Sequence, residues 1–347
     1  MLPMLELHHA KAMASLPHAV YDYYAGGAGD ELSVAEAESA WSAFRFRPRP
    51  LRDVGHIDTA VNLFGQSCSS PIGVAPMAFH HLAHPGAELE TARGTKDAGS
   101  LFVVSTRASS RLEDIASCAG PWWFQAYVFR QRSLTAKLVE RAAAAGATAI
   151  VLTGDTPMVG RKRRIGEVRL PIEDAYYLRN FAEHLAGHPS PRSAAEQSPC
   201  TTLDDIGWLH SLSGLPVLVK GVLRGDAAVE CLDAGAAGVI VSNHGGRQLD
   251  RAVSTARALQ EVTDAVNGRG LVLVDGGVRS GLDVLAALAL GADAVLVGRP
   301  ILWALAHSGG TGVYDALTAL REDLEHAMAL AGVQTVQDID PSLVAHD

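Results

Sequence analysis

From residue 71 onward the chain alternates between two hydrophobic rhythms. Short apolar runs, each closing on a polar or small residue, predict strands at 72–75, 101–105, 123–127, 149–153, 217–220, 238–242, 271–275 and 294–298. Between them, alanine-rich windows of helical period predict helices near 86–98, 110–118, 133–145, 225–234, 255–266 and 280–290, with a C-terminal one near 312–330. Gly99, Gly146, Gly235 and Gly291 stand where helix C-caps are expected. Strands that are apolar on both faces and separated by helices imply parallel pairing, and eight such units imply a closed (β/α)₈ TIM barrel. A doubly wound sheet is the competing arrangement, but no G-x-G-x-x-G turn follows the first strand.

Two regions break this rhythm. Residues 1–70 read as a helical cap segment: LPHAVYDYYAGGAGDE carries a helical stripe ended by Gly26 and Gly27, and FRPRPL then forces extended chain. Residues 71–347 form the barrel, one domain with the cap. From 154 to 215 no strand pattern appears, and HLAGHPSPRSAAEQSPC has little periodicity. The 165–205 stretch after strand four is expected to be a long lid or insertion loop, mobile in part.

Composition narrows the class. With 347 residues and 48% hydrophobic content the chain can bury either two ordinary cores or one barrel-sized core, and the repeat selects the barrel. A net charge of −9 without a long basic face argues against a nucleic-acid partner. Cys68, Cys118, Cys200 and Cys231 are too widely spaced for a disulfide framework or a zinc knuckle, which fits a reducing, cytoplasmic setting. The N-terminal MLPMLELHHAKAMASLP places Glu6 and two histidines where a signal peptide needs an apolar core. No apolar run reaches membrane-spanning length, so a soluble chain with no membrane partner is expected.

In such barrels the site gathers at the C-terminal ends of the strands. Here those ends carry Pro76 and Met77, Ser105, Gln125 and Tyr127, Thr153 and Asp155, Lys220, Ser242, His244 and Arg247, Asp275, Gly298 and Arg299. DGGVR (275–279) and GRP (298–300) follow strands seven and eight, where barrels commonly cradle a phosphate. Gly276 and Gly277 let backbone N–H groups approach an anion, and Arg279 and Arg299 supply charge. The plainer reading is two tight turns with surface arginines. A phosphate sink opposite Lys220, His244 and Arg247 points instead to a phosphorylated cofactor across the barrel mouth.

SNHGGRQLD, LVKGV, DGGVRSG, LVGRP, TGDTP, WFQAY, APMAFHHLAHP and YDYYAGGAGDE together resemble the FMN-dependent 2-hydroxy acid oxidases and dehydrogenases, the family of glycolate, lactate and mandelate oxidases. The resemblance covers nearly the whole chain outside 170–200. It implies FMN held by Pro76, Met77, Ala78, Ser105, Gln125, Thr153, Lys220 and Ser242, with its phosphate at Asp275, Gly276, Gly277, Arg279, Gly298 and Arg299. It implies His244 as catalytic base with Asp155 holding its ring, Arg247 as carboxylate clamp, and Tyr23 and Tyr127 as substrate-binding phenols. The implied reaction is oxidation of a small (S)-2-hydroxy acid to the 2-oxo acid. Oxygen is the expected acceptor, because 154–215 lacks an apolar anchor and the chain has no room for a haem domain. A homotetramer or larger assembly is expected.

The chain departs from that family at two places. Where a second substrate-binding arginine is usual after strand four, the run GRKRRIGEVRLP places Lys162, and Ile165 replaces the usual Asp. Arg161, Arg163 or Arg164 either swings in to replace it or belongs to a solvated basic stretch. Arg107 stands where the family tends to have an aromatic facing the substrate's side chain, so it reads either as substrate-binding or as solvent-facing. His80, His81 and His84 have metal-like spacing, but no carboxylate follows at ligand spacing and no metal is expected. The alternative function is an FMN-binding protein that has lost turnover through the change at Lys162. Metal-dependent hydrolysis is disfavoured because the first strand lacks an HxH ending.

Overall fold

The eight apolar runs form eight parallel strands that close on themselves. In the computed structural model, which describes residues 2–164 and 172–345, the chain begins with helices α1 (Pro3–Ser15), α2 (His18–Ala25) and α3 (Leu32–Trp41) and a hairpin of β1 (Val61–Leu63) and β2 (Gln66–Cys68). The barrel strands are β3 (Ile72–Val74), β4 (Phe102–Ser105), β5 (Trp122–Ala126), β6 (Ile150–Thr153), β7 (Val217–Val222), β8 (Gly238–Val241), β9 (Leu271–Asp275) and β10 (Ala294–Val297). Each pairs with the next, and β10 returns to β3 with Val295 opposite Ile72 and Val297 opposite Val74. The helices outside are α4 (Ala87–Asp97), α5 (Leu112–Cys118), α6 (Arg132–Ala144), α7 (Asp174–Tyr177), α8 (Pro191–Ala194), α9 (Asp204–Ser213), α10 (Gly225–Asp233), α11 (Thr255–Val266), α12 (Gly281–Ala289) and α13 (Arg299–Ala331).

Strand residues alternate between two cores, which is why both faces are apolar. Val103, Trp123, Val151, Leu218, Ile240, Leu273 and Leu296 fill the barrel interior. Their neighbours Phe102, Val104, Phe124, Ile150, Val239 and Val295 pack outward with the helices. Each such side chain contributes roughly 1.5–3 kcal/mol on burial, so a polar substitution on either face opens a core. The β1–β2 hairpin, which the hydrophobic pattern does not announce, joins the inner core through Leu63 and Cys68. Phe64 packs against Trp123 at 5.5 Å between ring centroids, near the N-terminal ends of the strands and away from the site.

The anticipated glycines all turn left-handed just past their helices: Gly99 at φ 64°, Gly146 at 95°, Gly235 at 97° and Gly291 at 95°. The C-terminal helix and the unit after β6 differ from expectation. The C-terminal helix begins at Arg299 rather than near 312, because Pro300 at its start suits the first helical turn, and it breaks at Ser308 and Gly309. The break is held by the backbone N–H of Gly310 donating to Glu90 Oε2 at 3.0 Å. Helix α9, unpredicted, completes the unit after β6. Its apolar stripe is narrow, with Ile206 and Leu209 as its buried apolar residues, and Gly207 interrupts it.

The described part of the expected lid, 172–205, is folded against the barrel. Leu178, Phe181, Leu185 and Ala195 are buried. Asn180 accepts from Leu112 N at 3.1 Å and donates to Ala108 O and Ser110 O at 3.2 and 2.9 Å. Order there comes from a few apolar anchors and one side-chain amide, neither of which leaves a periodic signal. Residues 165–171, also expected to be mobile, lie outside the described residues. Among the described residues no helix is long and apolar enough to cross a membrane.

Candidate active site

The C-terminal turn of α2 sets up one wall of the cleft. Its last carbonyls have no helical partners and carry the negative end of the helix dipole. Arg247 Nη1 donates to Tyr23 O at 2.7 Å and Gly26 O at 2.8 Å. Arg299 donates to Tyr24 O at 3.0 Å, Gly26 O at 3.2 Å and Gly245 O at 2.8 Å. The YYAGG turn therefore aims two guanidiniums from different barrel units. Burial, then the charges of Arg247 and Arg279, push Arg299 down to about 9. Arg279 reaches Glu38 of α3 at 3.1 Å, and Trp41 Nε1 of the same helix donates to Gly276 O at 2.7 Å.

Against this wall the loop after β8 turns through three left-handed residues, His244 at φ 59°, Gly245 at 63° and Gly246 at 74°. Such backbone is costly for histidine and places its ring at the cleft. His244 Nδ1 lies 2.9 Å from Asp155 Oδ1, leaving Nε2 for the cleft. Burial alone would raise the Asp155 carboxyl, but His244, Lys220 and Thr156 outweigh it and hold it below the ordinary value. Behind them Lys220 Nζ bridges Asp275 Oδ2 at 2.7 Å and Ser242 Oγ at 2.6 Å. Gln125 accepts from Ser105 Oγ at 3.3 Å and donates to Thr153 Oγ1 at 2.9 Å, tying three strand ends together. Tyr23 and Tyr127 are raised by burial and stay protonated donors.

Arg107 faces inward, not solvent. It is 6% exposed, with its guanidinium 4.4 Å from the Tyr177 ring centroid, 5.2 Å from Phe129 and 5.5 Å from Phe181, and Nη2 donates to Ala195 O. The basic run divides. Lys162 lines the cleft and is pushed down to about 8 by burial and then by Arg247. Arg163 and Arg164 do not swing in, because they pair with Asp30 and Glu31 of the cap. Arg161 is exposed. Ile165 lies outside the described residues.

A cleft of about 330 Å³ at the strand ends gathers Tyr23, Pro76, Met77, Ala78, Ser105, Arg107, Gln125, Tyr127, Thr153, Lys162, Lys220, His244, Arg247, Asp275, Gly276, Gly277, Arg279, Gly298 and Arg299. Asp155 and Ser242 stand one layer behind and act on it through His244 and Lys220. Asp275 turns its carboxylate toward Lys220. Sequence reasoning missed Tyr177, Gln197, Thr156 and Gln248, which also line the cleft. The first two come from the aperiodic insertion, where the Tyr176–Tyr177 pair was the available signal. The three histidines serve local structure: His80 Nδ1 meets Thr91 Oγ1 at 2.9 Å, His81 stacks on Tyr176, and His84 accepts from Gly86 N. Among the described residues no three His, Cys, Asp or Glu converge as a metal site.

The residues fit a flavin mononucleotide. Arg299 is a buried cation whose partners are backbone carbonyls, next to Arg279 and two left-handed glycines, so it lacks a counter-anion that a phosphate provides. Asp275 Oδ1 is buried without a partner beside Lys220.

Residues 12–346 match the model of the FMN-dependent dehydrogenase family. The chain is 41% identical to an L-lactate oxidase of Nostoc sp., covering 96% of this chain and 95% of the relative. It is also 41% identical to the glycolate oxidase of Spinacia oleracea, covering 98% and 95%. Among solved structures, mandelate oxidase superposes with a TM-score of 0.91 at 40% identity, covering 99% of this chain and 98% of the other. A mandelate oxidase variant with the C4a-OH-FMN adduct superposes at 0.89 with 39% identity, covering 97% of each chain. A barrel of this strand order with an anion-seeking pole and a His–Asp pair at its mouth is a flavin-binding oxidoreductase site. The chain belongs to the FMN-dependent dehydrogenase family, and its cofactor is FMN.

Proposed function

We propose that the chain oxidises a small (S)-2-hydroxy acid at this cleft, with oxygen as the terminal acceptor. FMN, when bound, takes up two electrons and returns them to oxygen, so one hydroxy acid and one O2 leave as one 2-oxo acid and one H2O2. The observation that carries the reading is the His244–Asp155 pair at 2.9 Å, in the cleft that Arg247 also lines. Arg247 and Lys162 hold the substrate carboxylate, and Tyr23 and Tyr127 donate to its oxygens. His244 Nε2 takes the substrate's proton, and Asp155, a positioning residue, fixes the ring and favours the imidazolium that forms. Arg279, Arg299, Gly276, Gly277, Gly298 and the Asp275 turn would hold the cofactor's phosphate. Pro76, Met77, Ala78, Ser105, Gln125, Thr153, Lys220 and Ser242 would hold the rest, with Lys220 supplying positive charge near the ring.

The altered clamp at Lys162 does not favour a binding-only protein, because Lys162 lines the same cleft as Arg247. The test is stoichiometry: the holoenzyme given a panel of 2-hydroxy acids in air should form 2-oxo acid and peroxide one to one. Absence of both with every acid tested would refute the reading. A cytoplasmic setting is supported by four free cysteines, and self-association by exposed Leu7, Met13 and Leu330.

A further inference from the structure

The mechanism above leaves one buried charge unused. Arg107 is desolvated as deeply as the core, yet among the described residues it has no ion-pair partner, and its Nη1 is buried without a hydrogen bond. Tyr177, Phe129 and Phe181 lie about the guanidinium, and their rings offer its N–H groups at most a weak N–H···π contact in place of a hydrogen bond. One edge is spent on Ala195 O. The remaining edge belongs to a residue that lines the same cleft as His244. A buried cation left this way is unfavourable unless a ligand completes it.

Two cationic poles of the cleft differ in the groups that hold them. Arg247 and Lys162 influence each other electrostatically, and Arg247 lies over the Tyr23 ring at 5.0 Å. Arg107 instead lies over the Tyr177 ring at 4.4 Å and donates to the insertion's Ala195 carbonyl, while Glu196, the nearby carboxylate that favours its charge, is paired with Arg130 at 3.3 Å. A monoacid occupies the first pole and leaves the second unmet. With one unpartnered nitrogen, Nη1, Arg107 offers a single charge-assisted hydrogen bond, which suits one carboxylate oxygen, and Gln197 lines the same cleft.

We propose that Arg107 is a specificity-determining residue and that the substrate is a 2-hydroxy dicarboxylic acid, its α-carboxylate at Arg247 and Lys162 and its distal carboxylate at Arg107. The proposal rests on the reading of the cleft as a 2-hydroxy acid site and names the side chain that site selects. The redox balance is unchanged, since the distal carboxylate takes no part in the reaction.

The direct test uses wild-type holoenzyme and two inert ligands of equal carbon number, 2-oxoglutarate and 2-oxovalerate, titrated by the change in flavin absorbance. The diacid should bind at least about 10-fold more tightly, as a charge-assisted hydrogen bond predicts. Equal or weaker binding overturns the proposal. In Arg107→Met, kcat/KM should fall about 10- to 100-fold on the preferred member of a malate and 2-hydroxyglutarate series, and lactate should stay within about 3-fold. Arg107→Lys should recover part of the diacid rate. A uniform loss on all acids with FMN content intact overturns it, since a structural or α-carboxylate role behaves that way. If the diacid binds tightly but no hydroxy acid is turned over, the functional reading fails while the assignment of Arg107 stands.

Discussion

His244 Nδ1 and Asp155 Oδ1 are 2.9 Å apart although the two residues come from the ends of β8 and β6, so the pair exists only once both strands have paired with β7 between them. Asp155→Asn should keep FMN and leave KM within a few-fold, but lower kcat by about 100-fold or more, because the imidazolium loses its counter-charge. The carboxyl's depressed value also has a thermodynamic sign. Its stabilisation is present above the ordinary carboxylate value and lost as pH falls through the depressed one, so the variant's acid unfolding limb should be shallower than wild type's. Steady-state kinetics and a pH series of thermal melts check both.

Lys162 should put an alkaline limb on substrate affinity. Burial and Arg247 hold it at about 8, so the free cleft loses this charge as pH passes through that value and KM should rise while kcat stays flat. Lys162→Arg should remove the limb, and Lys162→Met should raise KM at every pH. Because the folded value is depressed, the unfolded chain binds more protons between about 8 and the ordinary lysine value. The stability of the free protein attributable to Lys162 therefore rises with pH across that window.

Removing FMN should destabilise the fold at its arginine pole. Apoprotein should melt below holoprotein, and inorganic phosphate should restore part of the difference by meeting Arg279 and Arg299. Arg279→Ala should weaken FMN binding by about 10-fold or more, measured by fluorescence titration of apoprotein. Phosphate without effect on the apoprotein melt would place the anion elsewhere.

Gly277 is where α3 meets the phosphate turn. A Cβ there would sit 2.1 Å from Ala37 O on a backbone at φ 83°, so Gly277→Ala should cost more than the about 1–2 kcal/mol of left-handed backbone alone. Gly146→Ala, at φ 95° with open space around it, should cost only that backbone share. Paired thermal melts separate the two contributions.

The barrel was legible because its strands are apolar on both faces and its helices end on glycines, both local signals. The cleft was legible wherever a residue closes a strand, as at Gln125, Lys220 and Asp275. What stayed hidden depends on contacts distant in sequence. Helix α9 buries too narrow a stripe to show a period, and α2's carbonyls can be known to hold Arg247 and Arg299 only once the cap has docked. Arg107 was open between solvent and site because its aromatic neighbours Tyr177 and Phe181 come from the insertion, more than sixty residues on.

His244 is proposed as the base of a flavin-dependent 2-hydroxy acid oxidase, and that role can be read from the flavin. It is tested most directly by mixing holoenzyme anaerobically with a substrate hydroxy acid and following flavin absorbance in wild type and His244→Asn. The wild-type flavin should bleach in a single rapid phase, and the variant, with the same FMN content, should bleach slower by about 10²–10⁴-fold or more. Bleaching in the variant at a rate close to wild type would contradict the assignment.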